Sequence, residues 1–197
     1  MATKHLNNIF LSASIPYQDR DKRFYDTADI IAIRDSVRAL ATVVIPKARL
    51  IWGGHPAITP LIRFVMGKMN ADLKKHITLY QSNFFRDHFP SDNFFFENVA
   101  ITAEDIDRES SLLKMRNAMI TDNDFSVGIF IGGMEGVLAE FKLFSESHPK
   151  ALILPIASTG AAAKMIFEEI KPQPNIRLSN DYAYMALFRE LLNDYLT

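Results

Sequence analysis

Asp124-Phe-Ser-Val-Gly-Ile-Phe-Ile-Gly-Gly-Met-Glu-Gly-Val-Leu-Ala-Glu-Phe141 carries a strand into a helix through glycine. Residues 125–131 form a short, mostly apolar run with Val127, Ile129, Phe130 and Ile131, suited to a buried parallel strand. Residues 137–147 have the apolar spacing of a helix. At Gly132, Gly133 and Gly136 the backbone can take positive φ and lie close to a ligand, while the amides opening the helix carry partial positive charge toward an anion. Met134, Glu135 and Val137 complete this turn. The spacing is not the dinucleotide fingerprint, because Ile131 stands where G-x-G-x-x-G needs glycine, and no GK[ST] sequence marks a P-loop. Two readings stay open from local chemistry: a nucleotide cradle, and a tight strand-to-helix turn with no ligand.

The 197 residues suit one domain spanning 1–197, and 48% hydrophobic with 23% charged residues is ordinary for a globular protein. A formal net charge of −1 and no Lys/Arg block argue against direct nucleic-acid or membrane binding. Without cysteine there is no disulfide, thiolate nucleophile or cysteine-ligated zinc, which is compatible with the cytoplasm. No basic-then-apolar leader precedes Ile9, and no apolar run approaches the ~18 residues of a membrane span. The expectation is a cytoplasmic protein. His5, His55, His76, His88 and His148 are dispersed and no H-E-x-x-H occurs, so neither metal nor cofactor is expected.

Along the chain, Asn8–Ser14 reads as a first strand, and the small residues Ser12, Ala13 and Ser14 leave room where it exits the sheet. A polar connection with Tyr17 and Arg20 leads to a helix from about residue 26, whose Asp29, Arg34, Asp35 and Arg38 read as a solvated face. A second strand, 49–52, enters Gly53-Gly54-His55-Pro56 and a helix over 61–70; His55 reads as a positioning or hydrogen-bonding group. A third strand, 76–80, precedes Phe84, Phe85, Phe94, Phe95 and Phe96, read as packing groups in preference to a purine stack. Val99–Thr102 is a further extended segment, and 105–120 a helix. Beyond the glycine turn come an apolar strand, 151–155, the turn Ser158-Thr159-Gly160, a helix to about 170, and a final amphipathic helix over 182–196. Ser158, Thr159 and Gly160 could cap that helix or supply a second set of donors to the same ligand. Three or four strands alternating with helices predict an α/β fold, a single Rossmann-like three-layer domain with a mainly parallel sheet, and ligands bind such sheets at the carboxyl ends of the strands.

Leu113-Lys-Met-Arg-Asn-Ala-Met119 followed by Gly132-Gly-Met-Glu-Gly-Val-Leu-Ala-Glu140 resembles the paired signature of the lonely-guy phosphoribohydrolases, in which an arginine-bearing helix precedes a PGGxGTxxE loop. The resemblance extends to the wider SLOG superfamily of Rossmann-like nucleotide-binding and nucleotide-processing proteins. It implies that Arg116 and Glu140 match the catalytic arginine and glutamate, and that Gly132, Gly133 and Gly136 match the phosphate-binding glycines. Ile131 replaces the proline, one extra residue lengthens the loop, and Val137 replaces the threonine, so a carboxylate at Glu135 enters the cradle as a hydroxyl leaves it. The Phe-Leu-Ser-Ala-Ser start, Trp-Gly-Gly-His-Pro and Pro-Ile-Ala-Ser-Thr-Gly are similar to SLOG domains of bacterial defence, including those of Thoeris effectors that sense cyclic ADP-ribose derivatives.

Two functions from different classes follow. One is a binding module for an ADP-ribose-like or cyclic ADP-ribose-type nucleotide in antiphage defence, assembled as a homo-oligomer and read by a separate effector chain. Its expected ligand residues are Ser12, Ser14, Gly53, Gly54, His55, Arg116, Gly132 to Val137, Glu140 and Ser158 to Gly160. The other is an N-glycosidic hydrolase or nucleoside transferase in which Glu140 stabilises the ribosyl centre or activates water and Arg116 holds the phosphate.

Overall fold

The computed structural model describes residues 6–196; His5, the residues before it and Thr197 lie outside them. In chain order the elements are β1 (Asn8–Ser14), α1 (Lys22–Tyr25), α2 (Ile30–Val44), β2 (Arg49–Gly53), α3 (Thr59–Met66), β3 (Ile77–Ser82), β4 (Val99–Thr102), α4 (Arg108–Ile120), β5 (Val127–Gly132), α5 (Glu135–Ser147), β6 (Leu152–Ile156), α6 (Ala161–Glu169), α7 (Arg177–Asn180) and α8 (Tyr184–Leu191). Two 3-10 turns, Asn83–His88 and Ser91–Phe95, bridge β3 to β4.

The strands make one parallel sheet in the order β4-β3-β2-β1-β5-β6. The described residues thus hold six strands, one at each of the six extended segments read along the chain, against the three or four counted toward the fold. The edge strand β4, Val-Ala-Ile-Thr, opens with three apolar residues yet has none fully buried, whereas β5 is buried along its whole length. Alternation sends side chains to opposite layers. Ile9, Leu11, Leu50, Trp52, Val127, Ile129 and Ile131 join one core, covered by α2, α3 and α8, and Phe10, Ile51 and Phe130 join a second under α4, α5 and α6. In the second, the rings of Phe10 and Phe144 stack with centroids 5.2 Å apart. Helices on both faces of a parallel sheet complete the three-layer Rossmann-like architecture.

Several boundaries differ from the sequence reading for local reasons. The Asp29 carboxylate accepts from the Ala32 amide at 2.9 Å, so it caps α2 and is not simply part of a solvated face. Asp107 and Ser110 form a capping box that starts α4 at Arg108. The helix expected over 182–196 is interrupted: the Asp181 carboxylate turns the chain by accepting from Ala183 N–H at 2.8 Å, α8 begins at Tyr184, and Asn193–Tyr195 is a separate 3-10 turn. Of the five phenylalanines, Phe96 packs edge-on against Trp52 at 5.3 Å and Phe95 against Phe96, whereas Phe84 and Phe94 are exposed.

Candidate functional site

β1 and β5 are neighbours, but the chain leaves them toward opposite faces of the sheet, through α2 and α5. Such a reversal opens a crevice at the carboxyl ends of the strands. A cavity of about 700 Å³ lies there, bordered by the end of β1, the Gly53-Gly54-His55-Pro56 turn, Gln81 on β3, the turn after β3, and the facing parts of α4 and α5.

Gly132 and Gly133 turn the chain out of β5 with φ of 56° and 92°, a region other residues rarely enter. Their amides are already used. Gly132 N–H donates to Thr159 Oγ1 at 2.9 Å, and Gly133 N–H donates to the Ser14 carbonyl at 2.8 Å. The next three amides, of Met134, Glu135 and Gly136, have no partner among the described residues, and they open α5 onto the cavity. Unpaired amides at a helix start favour an anion through direct donation and through the helix dipole. The donors available to a phosphate therefore sit one to three residues beyond the two glycines that shape the turn.

Arg116 and Glu140 come together from α4 and α5, which β5 separates in sequence but which pack side by side on one face of the sheet. Arg116 Nε donates to Glu140 Oε1 at 3.3 Å, and the buried Ser12 Oγ donates to Glu140 Oε2 at 2.6 Å. The Arg116 and Glu140 side chains are 18% and 14% exposed, enough to meet a ligand and little enough to be held in place. A Cβ on Gly136 would lie 3.1 Å from an Arg116 terminal nitrogen, so the guanidinium reaches from Glu140 to the first turn of α5. Ser14, Gly53, Gly54, His55, Met134, Glu135 and Val137 border the same cavity.

Burial lowers the His55 imidazole to about 4, so it is neutral near pH 7. Its Nδ1 accepts from the Ala57 amide at 3.2 Å, which leaves the proton on Nε2 as a donor.

Ser158 and Gly160 border a different cavity, of about 320 Å³, with Thr27, Asp29, Lys164 and Tyr182. The Ser158 hydroxyl is engaged with the Asp181 carbonyl and the Tyr184 hydroxyl, and Thr159 Oγ1 donates to the Ile156 carbonyl while accepting from Gly132. The turn thus braces the glycine loop from outside the larger cavity. Sequence reasoning missed Gln81, Tyr17, Arg20, Arg108 and Glu109 as lining groups. Tyr17 and Arg20 had a usable signal, since they follow directly on the carboxyl end of β1. Among the described residues no group of three or more His, Asp or Glu is placed to hold a metal ion, and no helix is long and apolar enough to cross a membrane.

A parallel sheet wrapped on both faces, with its cavity at the point where strand order reverses, defines a Rossmann-like protein. Residues 23–192 match the SLOG cluster3 family, and the chain belongs to that family. The X-ray structure of TM1055, a Northeast Structural Genomics Consortium target, is similar in fold, with a TM-score of 0.56 at 11% identity over 94% of this chain and 99% of that one. No curated protein matches the sequence.

Proposed function

We propose that the cavity takes an ADP-ribose-like or cyclic ADP-ribose-type nucleotide and that the protein senses this signal in the cytoplasm during bacterial antiphage defence, as a homo-oligomer read by a separate effector chain. The observation that carries the binding reading is the set of three unpaired amides at Met134, Glu135 and Gly136, with the Arg116 guanidinium beside them in a cavity of about 700 Å³. Backbone donors and a guanidinium match phosphate oxygens. The resemblance to SLOG domains that sense cyclic ADP-ribose derivatives supports the choice of ligand, and the defence role and oligomer rest on it.

The contact between Arg116 and Glu140 favours a second reading, an N-glycosidic hydrolase. In it Glu140 takes a proton from water as the water oxygen bonds to the ribosyl anomeric carbon and the base departs with the glycosidic electron pair. Sensing is favoured because both Glu140 oxygens already accept hydrogen bonds, one from Ser12 and one from Arg116, so an attacking water would have to share or displace a protein donor to reach the carboxylate. Titration with ADP-ribose, followed by chromatography of the recovered ligand, tests the choice. The expected result is saturable binding, a thermal stabilisation of roughly 2.7 kcal/mol at about 100 times the dissociation constant, and unchanged ligand. Cleaved ligand appearing with wild type but not with Glu140→Ala would establish the hydrolase instead.

A further inference from the structure

Gln81 is a buried polar residue whose side chain has no assigned partner. It is 5% exposed, its carboxamide makes no hydrogen bond among the described residues, and it borders the large cavity. The carboxamide is not among the polar atoms sealed from solvent, so what remains exposed of this residue opens on the cavity, where a ligand can take the place of water as its hydrogen-bond partner. Its support is also specific. Gly54 is fastened to β3 by its amide, which donates to the Tyr80 carbonyl at 2.8 Å. The carboxamide lies against the bare Gly54 α-carbon: a Cβ there would be 1.8 Å from Nε2, 2.5 Å from Cδ and 3.0 Å from Oε1. Glycine at 54 is what allows the amide to occupy this place.

Position gives the amide its task. Two strands separate β3 from β5, so Gln81 is three strand spacings from the strand that leads to the unpaired amides, on the order of 14 Å at about 4.8 Å each. A phosphate on α5 cannot also touch Gln81, but the far end of an extended adenosine diphosphate can. A neutral carboxamide offers a donor and an acceptor side by side, which pairs with the amine and adjacent ring nitrogen of adenine. The neighbouring His55 supplies another neutral donor, Nε2–H, and Phe85 supplies an aromatic face bordering the cavity just after β3.

We propose that Gln81, held flat against Gly54, reads the nucleobase of the ligand and selects adenine. The inference rests on the nucleotide-binding reading above and deepens it by assigning the base end of the cavity.

Calorimetric titration of wild type, Gln81→Leu, Gln81→Glu and Gly54→Ala with ADP-ribose and with GDP-ribose tests it, with melting curves to check folding. Wild type is expected to prefer ADP-ribose by at least about tenfold. Gln81→Leu, which removes both polar atoms, loses the preference. Gln81→Glu reverses it, because a carboxylate accepts from the two adjacent donors of guanine. Gly54→Ala, which displaces the carboxamide without altering it, weakens the preference and keeps the proposal testable if a Gln81 variant does not fold. A wild-type preference retained in the folded variants overturns the assignment. Equal weakening of both ligands also overturns it, since that places the contact on the shared ribose or phosphates. A wild type that binds neither ligand overturns the nucleotide reading itself, a result distinct from both.

Discussion

Among the described residues, His55 carries a pH signature that falls below its ordinary range and within reach of a stability measurement. Its imidazole binds a proton near 6.5 when unperturbed and at about 4 when folded, because burial penalises the cation. Above about pH 6.5 the residue is neutral in both states and adds no pH dependence. As pH falls below that value the unfolded chain gains the proton first, so stability is lost progressively until pH drops through 4, by up to about 3 kcal/mol. Urea denaturation of wild type and His55→Gln between pH 7 and 4 is expected to show a shallower decline in the variant; parallel curves would remove His55 from this account. Residues of this kind differ in how far sequence exposes them. Arg116 and Glu140 were legible because each sits in a patterned segment with a known counterpart. Gln81 was not, because one glutamine in a strand has no local signal and becomes buried only when Gly54 is brought beneath it.

At the level of elements, the loop between β5 and α5 divides into a part that shapes and a part that binds. The sequence grouped Gly132, Gly133 and Gly136 together, yet only the first two have positive φ, while Gly136 lies in the first turn of α5. A Cβ on Gly133 would come within 2.3 Å of a Val137 methyl, so Gly133→Asp cannot serve as a clean probe of binding. Gly133→Ala is expected to cost about 2 kcal/mol or more in urea denaturation. Gly136→Ala is expected to leave stability equal or higher by up to about 1 kcal/mol, while weakening ADP-ribose binding severalfold by displacing Arg116. Wild-type affinity in that variant would detach Arg116 from ligand recognition. Strands with continuous apolar runs were legible, β1 to the residue, because burial on both faces leaves a compositional trace. α1 and α7, four residues each, were not, since segments that short owe their helical form to tertiary contacts.

For the whole molecule, alternation of strands and helices in sequence predicts a parallel sheet, but the order β4-β3-β2-β1-β5-β6 depends on which face each crossover takes, and no local pattern records that. That order separates the expected site residues. It draws Ser14, Gly54, His55, Arg116 and Glu140 around one cavity and leaves Ser158 and Gly160 on another. The large cavity also contains three arginines, Arg20, Arg108 and Arg116, and three glutamates, Glu109, Glu135 and Glu140, so orientation of donors counts for more than bulk positive potential in attracting an anion. The most direct measurement is a crystal structure of the protein with ADP-ribose. The account predicts phosphate oxygens within hydrogen-bonding distance of the Met134, Glu135 and Gly136 amides and of Arg116, with nothing in the cavity beside Ser158 and Gly160; ligand seated in that second cavity, or phosphates remote from the start of α5, would contradict it.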